Sequence, residues 1–413
     1  MHAALASAVL QENNMTQKPS PMNIAILSGV RTAIGGFGGA LSGIAPCELA
    51  TKVAAEAISR ANIAPEQVET SVFGNVIHTE PRDMYISRVA AIGAGVPETA
   101  PALTLNRLCG SGLQAVVTAA EQIALGNASI ALAGGAESMS RAGHMMSASR
   151  FGAKMGDVTA VDMMTGALTD PFGNGHMGIT AENIAERLEI SRETQDELAV
   201  ESHHRASTAI EAGYFKEQIL PVELKSRKGV ILFDTDEHVR WDVKPEDMSK
   251  LRPAFKKDGG VTAGNASGIN DGAAALVLAM ADATDAAPLA VIRAASVGGV
   301  APEVMGLGPI PATNKALEIA GLTIADLSVI ESNEAFAAQA CGVAQELGFP
   351  AEITNPNGGA IALGHPVGAS GAVILIKLIY ELRRTGGRYG LATMCIGGGQ
   401  GIAVIVENPE AAK

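Results

Sequence analysis

The sequence repeats one pattern at nearly the same spacing in its first and last thirds. Two β-like runs, 71–76 and 130–135, flank a glycine-rich turn and a helix-like stretch, and runs 328–333 and 391–395 flank a second such pair. From Val72 to Leu132 is 60 residues, and from Val329 to Leu391 is 62. Because an insertion in either copy would destroy this agreement, it predicts two copies of one α/β unit.

Within each copy, apolar runs of about five residues alternate with helix-like stretches, 113–123 and 372–382. Such runs predict mixed or parallel sheets that are buried on both faces, and the alternation argues against an all-helical or all-β fold. Between the copies, residues 141–264 are rich in methionine and contain a charged amphipathic stretch. Ser191 is a good N-cap for a helix there, and Gly213 is a good stop.

Composition excludes several classes of function. The chain has 413 residues, enough for two or three domains, and its net charge of −13 with 3% aromatic residues makes nucleic acid a poor partner. Although 47% of residues are hydrophobic, no apolar run reaches the ~18 residues of a membrane span, so we expect no membrane association. The N-terminal segment 1–22 lacks the pattern of an export signal and is expected to be a disordered leader, or to precede a start at Met15 or Met22.

The cysteines show no spacing typical of a disulfide framework or a zinc site. They are Cys47, Cys109, Cys341 and Cys395. In a chain of this size, that usage favours a reducing compartment, so we expect a cytoplasmic protein without a bound metal.

Four short motifs carry the candidate chemistry. They are 106–112 (NRLCGSG), 333–336 (NEAF), 364–366 (GHP) and 395–401 (CIGGGQG). Cys109 precedes Gly110 and Gly112 at the start of a helix-forming run. There the helix dipole favours a thiolate, and the glycines leave room for backbone N–H groups to point at an oxyanion. Without that context, a buried and inert thiol is the commoner case.

His365 and Cys395 occupy similar small-residue surroundings. A lone histidine is usually structural, but His365 lies between Gly364 and Pro366, where it can serve as a proton acceptor near neutral pH. Cys395 follows a β-like run and precedes three glycines, so its thiol should emerge at a strand end. A second cysteine beside a nucleophilic one suits proton transfer at the α-carbon of a thioester.

Residues 225–257 oppose the global charge, with nine basic residues against six acidic ones. A solvated face is one interpretation. A docking surface for a phosphorylated small molecule is the other.

Together the four motifs closely resemble those of the thiolase family, and the resemblance runs from about Asn23 to Glu407. It implies the thiolase fold, in which duplicated α/β units form a layered αβαβα core. By this resemblance, 23–140 and 265–289 form the N-terminal half, 290–409 form the C-terminal half, and 141–264 form an inserted loop domain that carries most coenzyme A contacts. The segments 176–183 and 264–268 also match thiolase motifs.

The resemblance assigns the catalytic roles. Cys109 is the acylated nucleophile, His365 is its base and a hydrogen-bond donor to the thioester oxygen, and Cys395 is the acid/base at carbon. The amides of Cys109 and Gly397 form one oxyanion hole, while Asn333, through a water, joins His365 in the other.

It also assigns the contacts with coenzyme A. Ser267 lies on the pantetheine arm, Arg240 near the nucleotide end, and His176 with Met177 along the acyl and pantetheine tunnel. The implied partners are acetyl-CoA, 3-ketoacyl-CoA and coenzyme A as substrates, with no permanently bound cofactor. The family forms dimers, often paired into tetramers, so we expect a homo-oligomer.

The implied activity is that of a β-ketothiolase, most similar to bacterial biosynthetic enzymes of polyhydroxyalkanoate pathways that accept chains longer than acetoacetyl. A degradative fatty-acid thiolase and a catalytically silent acyl-CoA or lipid carrier remain alternatives. A decarboxylating ketosynthase is disfavoured, because that family does not place a second catalytic cysteine in a CIGGG motif.

Overall fold

The computed structural model describes residues 22–226, 229–280, 283 and 286–411. The expected leader lies outside the described residues except for Met22, as do Arg227 and Lys228 of the basic stretch. In the described part of the chain, no helix is both long and apolar enough to cross a bilayer.

Within the described ranges, nine strands build one mixed sheet in the order β7-β8-β9-β6-β1-β5-β4-β2-β3. They are β1 (Ile24–Thr32), β2 (Thr70–Gly74), β3 (Ala102–Leu105), β4 (Ile130–Ser138), β5 (Asn270–Met280), β6 (Ala290–Gly299), β7 (Leu327–Ser332), β8 (Tyr389–Ile396) and β9 (Gln400–Glu407). Two short strands, Gly35–Gly36 and Ile219–Leu220, pair with β5 and β1. In a separate two-stranded sheet, Val222–Ser226 pairs antiparallel with Gly229–Phe233.

Eight longer helices accompany the sheet in the part of the chain that the structure describes. They are α1 (Pro46–Arg60), α2 (Ile86–Gly93), α3 (Ser111–Ala124), α4 (Met177–Arg187), α5 (Arg192–Ala212), α6 (Pro309–Ala320), α7 (Ala337–Leu347) and α8 (Val367–Thr385). Shorter helices include Met163–Ala167, Pro245–Ser249 and Ala360–Leu363.

The strand pairing repeats between the two halves of the sheet. In the first half, β2 is parallel to β3 and β4, and β5 is antiparallel to β4 and β1. In the second half, β7 is parallel to β8 and bridges Thr354 in parallel, and β9 is antiparallel to β8 and β6. The halves meet where β1 pairs with β6. The predicted duplication is confirmed.

The helices complete the layers. Helices α3 and α8 share one apolar core between the two halves of the sheet. They approach so closely that a Cβ on Gly112 would lie 2.8 Å from the Ala372 nitrogen. Helices α1 and α2 cover the outer face of the first half, and α6 and α7 cover that of the second. This is the predicted αβαβα arrangement.

Local predictions can be compared with the observed elements. Ser191 Oγ accepts the Thr194 N–H at 3.1 Å and Gly213 ends α5 with φ 77°, so both predicted ends are confirmed. The helix expected over 372–382 begins earlier, at Val367. Strand β4 ends at Ser138 and β5 begins at Asn270, so the chain between them contains the proposed loop domain. The exact division into domains stays a prediction.

Candidate active site

Six of the nine predicted site residues line one pocket: Cys109, Met177, Ser267, His365, Cys395 and Gly397. They come from both halves of the sheet and from the segment between them. The rest of the wall is mostly apolar, with Val76, Leu108, Met139, Ala167, Leu168, Met305, Ala335, Phe336 and Val367. The pocket can therefore hold an apolar chain next to two thiols and an imidazole.

Cys109 lies in a tight turn between β3 and α3. Leu108 adopts φ 46°, and the Ser111 hydroxyl accepts the Arg107 N–H at 2.9 Å and donates to the Leu108 carbonyl at 2.7 Å. Helix α3 begins at Ser111. These two hydrogen bonds hold the turn that presents the Cys109 thiol at the helix N-terminus, as the sequence predicted.

The protonation of this thiol differs from the expectation. Burial raises the pKa of Cys109 to about 11, although hydrogen bonds from the backbone N–H groups of Gly397 and Cys109 itself act in the opposite direction. The helix dipole alone therefore does not favour a thiolate here, because loss of water around the sulfur outweighs the nearby dipoles. The pKa of Cys395 is also raised, first by burial and then by the charge of Cys109.

His365 is held in one tautomer. Its Nδ1 lies 2.6 Å from Ser370 Oγ, and that hydroxyl donates to the Pro366 carbonyl at 2.9 Å. With the hydroxyl proton donated to Pro366, the hydrogen-bond pattern assigns the ring proton to Nδ1 and the free lone pair to Nε2. Among the described residues, Nε2 has no hydrogen-bond partner.

Burial lowers the pKa of His365 to about 4. The ring is therefore neutral at physiological pH, and Nε2 is able to accept a proton inside the pocket. Its backbone is held as well, because the His365 N–H donates to Asn270 Oδ1 at 2.9 Å.

Asn333 does not line this pocket. It borders a neighbouring small cavity together with Gly364 and Ser370. Gly364 precedes His365 in the chain, and Ser370 is the hydrogen-bond partner of the His365 ring. Its side-chain amide nitrogen is buried and finds no partner within the described residues. That unused donor is a feature expected of a residue that acts through a bound water.

The remaining two predicted residues lie outside the pocket wall. His176 caps α4, since its Nδ1 accepts the Gly178 N–H at 3.0 Å, and its ring stacks on Phe255 at 4.6 Å. Arg240 is exposed, and its backbone N–H donates to His203 Nδ1 at 3.1 Å. Burial first, and then the Arg240 charge, lower the pKa of His203 to about 4.

Two functional candidates escaped the sequence analysis. Ser370 follows His365 by five residues at the start of α8, a spacing that could have suggested the contact. Glu137 has a fully buried carboxyl group in β4. In the sequence, a charged residue directly after a run of small residues could have indicated it.

The cysteines outside the motifs lie away from the pocket. The buried Cys47 thiol donates to Asp83 Oδ1 at 3.3 Å, and Cys341 borders a separate cavity between α5 and α7. All four cysteines are free. Over the described ranges, no group of three or more His, Cys, Asp or Glu side chains could hold a metal ion.

Comparison with known proteins agrees with this architecture. The family model "Thiolase, N-terminal domain" matches residues 24–282, and "Thiolase, C-terminal domain" matches 286–408. The chain belongs to the thiolase family.

Its relatives cover almost its whole length. The beta-ketothiolase BktB of Cupriavidus necator is 59% identical over 93% of this chain and 98% of its own. An acetyl-CoA acetyltransferase of Chromobacterium violaceum is 50% identical over 94% of this chain and 100% of its own. The crystal structure of human mitochondrial 3-ketoacyl-CoA thiolase in complex with CoA has a TM-score of 0.92 and 42% identity, and the match covers 95% of this chain and 100% of that one.

Proposed function

We propose that this chain is a β-ketothiolase, an acyltransferase that cleaves 3-ketoacyl-CoA with coenzyme A and catalyses the reverse Claisen condensation. The observation that carries the proposal is the meeting of two thiols and an unpaired imidazole nitrogen in one apolar pocket. Among the alternatives, a silent carrier would not need this set of groups.

In the first step, Cys109 Sγ attacks the keto carbon of the substrate while His365 Nε2 accepts the thiol proton. With pKa values of about 11 for the thiol and about 4 for the imidazole, the neutral pair is the resting state. The proton therefore moves as the carbon–sulfur bond forms, in general-base catalysis. The N–H groups of Cys109 and Gly397, which already approach this sulfur, suit one oxyanion hole. His365 and a water on Asn333 suit the other.

Carbon–carbon cleavage then releases the enolate of acetyl-CoA and leaves an acyl thioester on Cys109. The raised pKa keeps Cys395 protonated, which is the form needed to protonate that carbanion. Coenzyme A finally takes the acyl group: its thiol proton passes to the Cys395 thiolate, and the Cys109 sulfur leaves with the proton held by His365. Condensation runs these steps in reverse, so Cys395 removes the α-proton as the thiolate that remains after it has protonated the departing coenzyme A.

Coenzyme A is proposed to enter past Ser267 and Met177, with its nucleotide end toward Arg240. We propose acyl chains longer than acetoacetyl as substrates, as in biosynthesis of polyhydroxyalkanoate precursors, because Val76, Leu168 and Phe336 make the pocket wall apolar. We further propose a cytoplasmic homo-oligomer, a dimer or a dimer of dimers, with residues 141–264 as the coenzyme A-binding domain.

Acetyl-CoA provides the test. After mixing, intact-mass and peptide analysis should find one acetyl group, on Cys109. The Cys109→Ala variant should take up none, while Cys341→Ala, the matched control in the other cavity, should label normally. Label mainly on Cys395 or Cys341 would reverse the assignment. Rates on acetoacetyl-CoA against longer 3-ketoacyl-CoAs then define the chain-length preference.

A further inference from the structure

The duplication places Glu137 at the position that Cys395 occupies in the other half. In the first half, Gly135 of β4 pairs with Gly74, the residue before Asn75. In the second half, Thr393 of β8 pairs with Ser332, the residue before Asn333. Two residues further along each of these strands come Glu137 and Cys395.

The next strand confirms the equivalence. Glu137 lies opposite Gly272 of β5, and Cys395 lies opposite Gly401 of β9. One half therefore has a thiol where the other has a carboxyl group, and both positions lie at the end of a central strand, next to the N-termini of α3 and α8.

The Glu137 carboxyl group joins two segments that shape the pocket. Its Oε2 accepts the N–H groups of Val76 at 3.1 Å and Gly368 at 2.9 Å. Its Oε1 accepts the Ile77 N–H at 3.1 Å and Asn75 Nδ2 at 3.2 Å. Four N–H donors therefore surround the carboxyl group, and none of these four groups can accept a proton from Glu137.

One of the two segments carries Val76, which lines the pocket. The other is the first turn of α8, three residues after His365. A side chain on Gly368 would not fit there, because its Cβ would lie 2.7 Å from Glu137 Oε2 and 3.1 Å from the Asn75 Cα. The carboxylate is the group that fills the gap between them.

We infer that Glu137 is a positioning residue of the active site. Its carboxylate sets the distance between the pocket wall at Val76 and the turn that carries His365, and its charge opposes ionisation of the Cys109 thiol. It does not line the pocket, so it acts through these groups and not on substrate. The inference rests on the proposed role of Cys109 as nucleophile.

The charge has a defined pH range. Burial raises the pKa of Glu137 to about 8, against the pull of the three backbone N–H donors, and the charge of Asp83 adds to the increase. Glu137 in turn raises the pKa of Cys109. Since this thiol ionises at still higher pH, the carboxylate is charged throughout the titration of Cys109.

The test compares Glu137→Gln with the wild-type enzyme. Alkylation of Cys109 by iodoacetamide, followed by peptide mass analysis from pH 8 to 12, should show a midpoint at lower pH in the variant, because the opposing charge is gone. The amide also turns an NH₂ group toward backbone donors, so kcat for thiolysis should fall about ten- to hundredfold from misplacement of His365. KM should change little.

Two further variants separate charge from position. Glu137→Asp keeps the charge but is one methylene shorter, so its alkylation midpoint should stay near that of the wild type while kcat falls. Asp83→Asn, an equally buried carboxyl-to-amide change beside Cys47, should leave the alkylation midpoint and kcat near wild type. If Glu137→Gln does not fold, kcat of Glu137→Asp decides the inference.

Wild-type kcat in Glu137→Asp, or an unshifted alkylation midpoint in a folded Glu137→Gln, overturns the inference and leaves the proposed function intact. Failure of the wild-type enzyme to acetylate Cys109 would instead remove the proposed function.

Discussion

Removing the Ser370 hydroxyl tests the protonation state on which the proposed mechanism depends. In Ser370→Ala, the His365 Nδ1–H loses its 2.6 Å partner in a buried site. A buried donor without a partner costs about 1–3 kcal/mol. The cost falls on the step in which the ring accepts the Cys109 proton, because the imidazolium formed there has no acceptor for its Nδ1–H.

At 1.36 kcal/mol per factor of ten, that cost corresponds to a loss of about 5- to 150-fold in the rate of acyl-enzyme formation. Stopped-flow or rapid-quench measurement of Cys109 acetylation by acetyl-CoA reads this step directly. KM for coenzyme A esters should stay nearly constant, because Ser370 does not line the pocket. Ser28→Ala removes another buried hydroxyl, which donates to the Ala57 carbonyl at 2.6 Å, and controls for a general loss of stability.

Acylation at the wild-type rate in a folded Ser370→Ala enzyme would refute the reasoning. It would mean that the ring keeps its productive tautomer without the serine, or that another group deprotonates Cys109.

The same geometry leads to three further predictions. Because the pKa values of His365 and Cys109 are about 4 and about 11, these two groups should add no limb to the kcat/KM profile for acylation between about pH 5 and pH 10, where the Glu137 carboxyl titrates with a pKa of about 8. A bell centred near pH 7 with limbs at the ordinary pKa values of histidine and cysteine would contradict this. Cys395→Ala should still form acetyl-enzyme but lose condensation and deuterium exchange into the methyl group of acetyl-CoA; near-normal exchange would show that another group is the carbon base. Arg240→Ala should raise KM for coenzyme A esters while sparing short pantetheine thioesters, and equal losses on both would indicate a structural role.

The features that the sequence predicted well are those set by local or repeated patterns. The agreement of the 60- and 62-residue spacings reflects two copies of one unit, and the strand order repeats accordingly. The ends of α5 follow from Ser191 and Gly213, whose cap and left-handed conformations depend on neighbouring residues only. Cys109 and Cys395 reach the pocket because they lie near the ends of strands β3 and β8.

The features that the sequence did not predict depend on burial by residues that are distant in the chain. The dipole argument for Cys109 considered one helix, whereas the pKa depends on all the groups that exclude water from the sulfur. Glu137 was not predicted because the β-like run was taken to end at Gly135, whereas the strand continues for three more residues, to Ser138. His176 was assigned from a motif, and its observed contacts are the cap of α4 and the stack on Phe255.

Burial therefore changes how the proposed chemistry must work. It raises the pKa of the thiol and lowers that of the imidazole, so an ion pair between Cys109 and His365 is disfavoured before substrate reacts. The same exclusion of water strengthens the interaction of a developing oxyanion with the fixed N–H groups of Gly397 and Cys109. Negative charge is thus costly on sulfur and stabilised on oxygen. A site with this balance gains little from a preformed thiolate, because its stabilising dipoles act on the charge that appears only during the reaction.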